Sequence, residues 1–321
     1  MIISASYKTD IPAFYGPWLM QRLQHGYCKM INPYGGQIYT IDLSPEQVDG
    51  IIFWTKNINP FMRYLPEVER MGYPFLIHHT INGYPRALES RVVDTAQAIA
   101  SMQQLAATYS PERLVWRYDP ILFTSLTPPE WHLRNFEQLA RALQGTVDEV
   151  IVSFAYVYKK SARNISLAAR EQKFSWHEHS SEDVEEKFRQ LLTALAHIAR
   201  AHGMQLRICA QKRFLVAGLV EEARCIDSLR LARVAGRAAT NVKRQIGGRP
   251  ECACGASKDI GAYDTCPHGC VYCYAVQQRE KALQAYKDHD PAGEFLFPPE
   301  PAAHIPAVPP AYIQQSFESW S

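Results

Sequence analysis

Six short apolar runs, at residues 2–6, 50–54, 74–77, 114–116, 149–154 and 205–209, recur along the chain, each followed by a polar tip and then a helical pattern. Continuous apolar runs suit parallel strands covered on both faces, since a strand with one wet face alternates apolar and polar residues. The stretches between them read as helices with identifiable ends. In "SSEDVEEKFRQLLTALAHIARAHGM", Ser181 caps the start and acidic residues fill the first turn. Val184, Phe188, Leu191, Leu195 and Ile198 make one apolar stripe, and Gly203 ends it. "PPEWHLRNFEQLARALQG" starts behind two prolines, carries Leu133, Phe136, Leu139 and Leu143, and stops at Gly145. Six such alternations make a parallel α/β fold.

The polar tips narrow the class. They read "SYKTD" (6–10), "WTKN" (54–57), "HHT" (78–80), "RYD" (117–119), "SFAY" (153–156) and "CAQ" (209–211). Barrel enzymes project their functional groups from the C-terminal ends of several strands. Periodicity alone does not separate a closed or partial barrel from an open doubly wound sheet, but the tips favour a partial (β/α)6 TIM-like barrel over residues 1–235. After it the periodicity stops. An irregular cysteine-rich module is expected at 236–285 and a proline-rich tail or surface strap at 286–321.

No apolar run approaches the roughly 20 residues needed to cross a bilayer. The N-terminus "MIISASYKTDIP" lacks a basic segment followed by a long apolar stretch, so a cytoplasmic protein without a membrane partner is expected. In a reducing compartment, closely spaced members of the eight cysteines point to metal rather than disulfides.

The closest spacing is in "TCPHGCVYCYA" (265–275), where Cys266, Cys270 and Cys273 stand as C-x3-C-x2-C with Tyr272 before the third cysteine. Three thiolates on a four-iron cubane leave one iron open for a ligand. The ferredoxin run is spaced differently and supplies one more cysteine. A zinc site built from Cys252-x-Cys254 and Cys270-x2-Cys273 would leave Cys266 unexplained. His268, between two ligands, reads as a loop residue, and His177 and His179 as a hydrated loop before a helix cap. His78 and His79 are neighbours on a strand and point to opposite faces, so at most one should reach the interior.

This spacing resembles the cluster motif of radical S-adenosylmethionine (SAM) enzymes, and the "YCYA" ending resembles the cluster loops of spore-photoproduct-lyase-like proteins. More broadly, "SYKTDIPAFY", "FWTKN", "WRYDPIL" and "CACGASKDIGAYDTCPHGCVYCYA" resemble an uncharacterised bacterial family with a C-terminal, radical-SAM-like cysteine cluster, over most of residues 1–275. The resemblance implies a 4Fe–4S cluster on Cys266, Cys270 and Cys273, with Tyr272 beside the cofactor. It also implies SAM chelated by the open iron, its reductive cleavage to a 5′-deoxyadenosyl radical, and a reductant such as a ferredoxin or flavodoxin. The substrate is not named by any motif. Two departures stand out. In radical SAM enzymes the cluster loop follows the first strand, whereas here six expected strands precede it. The chain also lacks a Gly-Gly-Glu segment for the SAM amino group, "YGGQ" (34–37) being a partial echo.

The strand tips supply candidate catalytic groups. Lys8 and Asp10 suit a SAM carboxylate or a substrate, although Thr9 or Asp10 equally suits the cap of a helix opening "IPAFYGPW". Lys56 lies beyond an aromatic strand end. Arg117 and Asp119, two apart, project to one side and suit either an anion or a strand-to-loop tie.

Cys209, Cys225, Cys252 and Cys254 remain, with Cys28 apart. Four is the ligand count of a second 4Fe–4S cluster or of a structural zinc, while ordinary buried cysteines are the plain alternative for Cys209 and Cys225. Between residues 207 and 249, ten Lys/Arg face three acids, a field that would attract cluster sulfurs, a nucleotide or RNA phosphates. Two alternatives to the radical enzyme stay open. One is an iron–sulfur protein serving electron transfer or structure without SAM. The other is a zinc-stapled nucleic-acid-binding protein.

Overall fold

The computed structural model describes residues 1–32, 36–176, 182–238 and 251–298. The strands are β1 (Ile2–Ala5), β2 (Tyr27–Ile31), β3 (Ile38–Asp42), β4 (Gly50–Thr55), β5 (Phe75–Thr80), β6 (Leu114–Ile121), β7 (Glu149–Phe154), β8 (Gln205–Ile208), β9 (Glu221–Glu222) and β10 (Ser257–Asp259). Eight of them form one sheet in the order β10-β1-β4-β5-β6-β7-β8-β9. Every neighbouring pair in it is parallel. No pairing joins β9 to β10 among the described residues, and β2 and β3 make a separate antiparallel hairpin. The fold is therefore α/β, with a mostly parallel sheet.

All six expected strands are present and contiguous, in chain order. The flanking strands were not expected from the sequence. β9 is two glutamates and β10 is "SKD", neither with an apolar signature. They exist because a parallel sheet offers its edges to whatever backbone follows, so their pairing is set by topology rather than propensity.

The sheet is buried on both faces, as the apolar runs require. Ile3, Ile51, Phe53, Phe75, Ile77, Trp116, Val150 and Val152 pack with Trp18, Leu105, Phe136, Leu139 and Leu195 of the helices in the larger core. The alternate residues Ile2, Ile52, Leu76, Val115 and Ile151 face a second core completed by Cys209, Ala223, Cys225, Ile226, Leu231 and Cys254. At roughly 25 cal/mol per Å² of apolar surface removed from water, both layers favour folding; the larger holds Cys28 and the second gathers Cys209, Cys225 and Cys254.

Helix ends follow local rules. Asp227 accepts from the amides of Leu229 and Arg230, both at 3.0 Å, to start the helix Ser228–Val234. Gly26 turns left-handed at φ 74° to end the helix Gly16–His25.

The cysteine-rich segment is joined to the sheet. β10 pairs with β1, with Ile2, Ile3 and Ser4 opposite Ser257, Lys258 and Asp259. Asp259 Oδ2 accepts from Ser4 Oγ (2.8 Å) and the Tyr7 amide (3.0 Å), and its Oδ1 accepts from Ser6 Oγ (2.8 Å). The first part of the expected tail does strap the surface. Trp18 Nε1 donates to Gly293 O (3.0 Å), the Lys29 amide to Glu294 O (2.9 Å), and Leu296 is buried. The proline-rich remainder, 299–321, lies outside the described residues, as do His177, His179, Ser181 and the first two residues of "YGGQ".

Candidate functional site

The loop bearing Cys266, Cys270 and Cys273 follows β10 and lies over the residues that leave β1, β4 and β5. Its backbone is stitched to residues 88–91. Val271 N donates to Leu88 O (3.1 Å), Arg91 N donates to His268 O (3.0 Å), and Cys270 bridges Glu89. Gly269 makes the turn at φ 70°, where a Cβ would lie 2.5 Å from Ser90 Oγ, so a larger residue would force the two strands of loop apart.

Asp10 fastens this loop to the sheet. Its Oδ1 accepts from the Ala13 amide (2.9 Å), the helix cap anticipated from the sequence. Its Oδ2 accepts from the Lys56 amide (2.7 Å) and meets His268 Nε2 at 2.7 Å. His268 is therefore buried and tethered, rather than the plain loop residue expected.

The three thiols lie near enough to feel one another's charge. Cys273 acts on Cys266, and both act on Cys270. Burial pushes all three thiols up, while Lys56 pulls Cys270 and Cys273 back down. A coordinating metal deprotonates such thiols outright. Among the described residues no group of three or more His, Cys, Asp or Glu side chains is arranged to hold a single ion.

Beneath the loop lies a buried polar group centred on Glu89. Lys56 Nζ sits 2.7 Å from Glu89 Oε1 and 5.8 Å from the centre of the Tyr272 ring. The Tyr272 hydroxyl donates to Glu89, and Asn82 Nδ2 reaches Glu89 Oε1 and Tyr272 Oη, both at 3.1 Å. Burial alone would raise the Glu89 carboxyl, but the Lys56 charge and these hydrogen bonds hold it below its ordinary value. Burial likewise opposes the Lys56 charge, and Glu89 with Cys270 restores it. The Tyr272 ring meets Tyr84 edge-on at 5.9 Å.

The expected basic residues do not share one pocket. Each is held by its own carboxylate: Lys8 by Asp259 (3.5 Å), Lys56 by Glu89, and Arg117 by Asp119. Lys8 also lies over the rings of Tyr7 and Tyr263. Arg117 turns to the other cysteines, its Nη1 donating to Cys225 Sγ at 3.1 Å, with its guanidinium 5.0 Å from the Trp54 ring. Trp54 stacks on His78 at 4.7 Å. His79 lies on the opposite face of β5, near Lys56 and Asp10. Both histidines are buried because both faces of the sheet are covered, which corrects the expectation that only one would be.

Cys209, Cys225, Cys252 and Cys254 do come together. Cys225 Sγ lies 3.5 Å from Cys209 Sγ, and Cys254 bonds through its thiol to both Cys225 and Cys252. A hydrogen-bonded path links the two groups, from Cys225 through Arg117 and Asp119 to Asn82 and Glu89.

The basic field weakens on inspection. Arg207 pairs with Glu149 and Glu221, Lys212 with Glu222, Arg213 with Glu185, and Arg230 with Asp148 and Glu149. Residues 239–250, which complete it, lie outside the described residues. No described helix is long and apolar enough to cross a membrane.

Glu89, Asn82, His268 and Asp259 had no distinguishing sequence signal. Glu89 sits in an ordinary loop, "PRALES", and acquires its role only when the distant cysteine loop folds over it. The chain belongs to the family described as Domain of unknown function (DUF1848), whose model matches residues 2–275. No curated protein matches it.

Proposed function

We propose that this DUF1848 member is a radical-SAM-like iron–sulfur enzyme of the cytoplasm, cleaving SAM reductively, with Cys266, Cys270 and Cys273 as the ligands of a 4Fe–4S cluster. The observation that carries it is the position of β10. The cysteine loop comes last in the chain, yet the strand leading into it stands at the sheet edge, parallel to β1 and ahead of β4–β8. In space the loop therefore follows the first strand of a sequentially wound sheet, the order expected of a rearranged partial barrel. When bound, a three-thiolate cluster supplies the electron and an open iron as the SAM site.

The chain's own residues do the rest. Lys56 sets a buried positive charge against Cys270 and Cys273, favouring their thiolate forms. Glu89 and Asn82 fix Lys56 and Tyr272, and Asp10 fixes the loop through His268. Asp119 positions Arg117, and Lys8 remains a candidate contact for SAM or substrate. A ferredoxin or flavodoxin is the matching electron donor.

One observation favours the second reading, an iron–sulfur protein for electron transfer or structure without SAM. The cavity lined by Lys56, Thr80, Asn82, Tyr84 and Glu89 holds only about 60 Å³, room for a few waters and not for an adenosyl group. Full-length protein, reconstituted anaerobically with ferrous iron and sulfide and reduced with dithionite, should convert SAM to 5′-deoxyadenosine. Iron-loaded protein that yields none would establish the second reading instead.

A further inference from the structure

We infer that Cys209, Cys225, Cys252 and Cys254 form a second metal centre of the iron–sulfur class, separate from the loop triad and built into the second core of the sheet. The inference does not depend on SAM cleavage.

Three chain segments supply the four thiols: the end of β8, the stretch after β9, and the residues before β10. Nothing local brings them together, and the sheet topology does. All four belong to or pack against one core, where Cys209 is 7%, Cys225 4% and Cys254 8% exposed. A lone buried cysteine behaves as a small apolar side chain. Four linked in series, Cys209 to Cys225 to Cys254 to Cys252, are not explained by apolar packing, because each places a weak polar sulfur against another.

The surroundings are those of a negatively charged group. The Arg117 guanidinium, 6% exposed as a residue, donates to Cys225 Sγ at 3.1 Å. With Asp119 on one side, the guanidinium still presents an Nη1 donor to the thiols on the other, and a thiolate is a far stronger acceptor for it than a neutral thiol. Two ring nitrogens nearby, His78 Nδ1 and Trp54 Nε1, are buried without a hydrogen-bond partner. Cluster-bound sulfide or a thiolate is an acceptor of the kind such donors use.

The spacing selects the class. Two thiolates on one tetrahedral metal atom at about 2.3 Å stand roughly 3.8 Å apart. The 3.5 Å between Cys209 and Cys225 fits two ligands of one atom and exceeds the ~2.05 Å of a disulfide. A two-iron cluster takes its four cysteines in two such pairs, one on each iron, as Cys209 with Cys225 and Cys252 with Cys254 stand here.

The experiment uses full-length Cys270→Ala protein, reconstituted anaerobically with ferrous iron and sulfide and desalted. Iron and acid-labile sulfide should remain, with a reduced-state EPR signal, and the further change Cys225→Ser should remove both. Circular dichroism of the iron-free proteins, unchanged between the two, separates ligand loss from misfolding. If misfolding intervenes, Cys252→Ser, at the more exposed end of the series, replaces it. Iron absent from Cys270→Ala, iron retained in the ligand variants, or zinc bound stoichiometrically in place of iron would each overturn the inference.

Discussion

The two cysteine groups are built by opposite means. The loop triad occupies eight consecutive positions, 266–273, and its shape is set by a turn at Gly269 and by backbone bonds to residues 88–91. The core group draws on segments up to 45 residues apart, from Cys209 to Cys254, and its shape is set by strand order alone. Their counter-charges differ in the same way. Lys56 faces the triad from a carboxylate network that includes the loop's own Tyr272, whereas Arg117 faces the core group from a strand. A site carried on a loop can be altered without disturbing the sheet. A site made by the sheet cannot.

The sharpest break in this comparison is chemical. Cys270→Ala should abolish iron binding by the triad and all SAM cleavage while leaving the melting temperature of iron-free protein nearly unchanged, read by iron analysis, product chromatography and calorimetry. Next comes the strand-borne cation. Arg117→Met leaves the half-buried Asp119 without its ion-pair partner and should destabilise iron-free protein by about 1–3 kcal/mol in urea titrations.

Acid should act on both faces of the sheet: burial lowers His79, beside Lys56 and Asp10, to about 4, and His78 answers on the face of the core group. Burial, reinforced by the Arg117 charge, lowers His78 to about 3 in the folded protein. The unfolded chain takes up that proton near pH ~6.5. Stability is therefore complete above pH ~6.5 and declines as pH falls toward about 3, by roughly 4 kcal/mol in all. His78→Asn should flatten that part of the urea-midpoint profile. Lys56→Met should leave it in place.

Smaller effects belong to the loop. Asp10→Asn weakens both the helix cap and the His268 tether, and should cost about 1–2 kcal/mol while loosening the loop to proteolysis. Tyr272→Phe removes only the hydroxyl bonds to Glu89 and Asn82. It should cost about 0.5–1.5 kcal/mol with iron content unchanged, measured by urea titration and iron assay.

The same contrast explains what could be read beforehand. Strands such as "EVIVSF" and the spacing of Cys266, Cys270 and Cys273 are local patterns, and both are visible in the sequence. The Asp10 cap was equally local. β10 and the Glu89 network were not legible, because "SKD" and "PRALES" carry no period and matter only through what folds against them. Arg117 stood out as a charged residue just past an apolar run, although β6 continues beyond it to Ile121. Its partners did not, since the choice between triad and core group depends on which face of β6 each occupies. For the core group, counting cysteines suggested a foursome, and only the sheet order brings its members together.

β10 also bears on how the chain is made. The strand that covers the free edge of β1 is synthesised roughly 250 residues after it. At about 5–20 residues per second that is on the order of 10–50 s of translation. Through that interval β1 presents an open edge, with Ser4 and Ser6 still lacking the Asp259 carboxylate. Nascent chains of this design need shielding early. The cysteine loop, which follows the last strand, can close only as a finishing step on an otherwise assembled sheet.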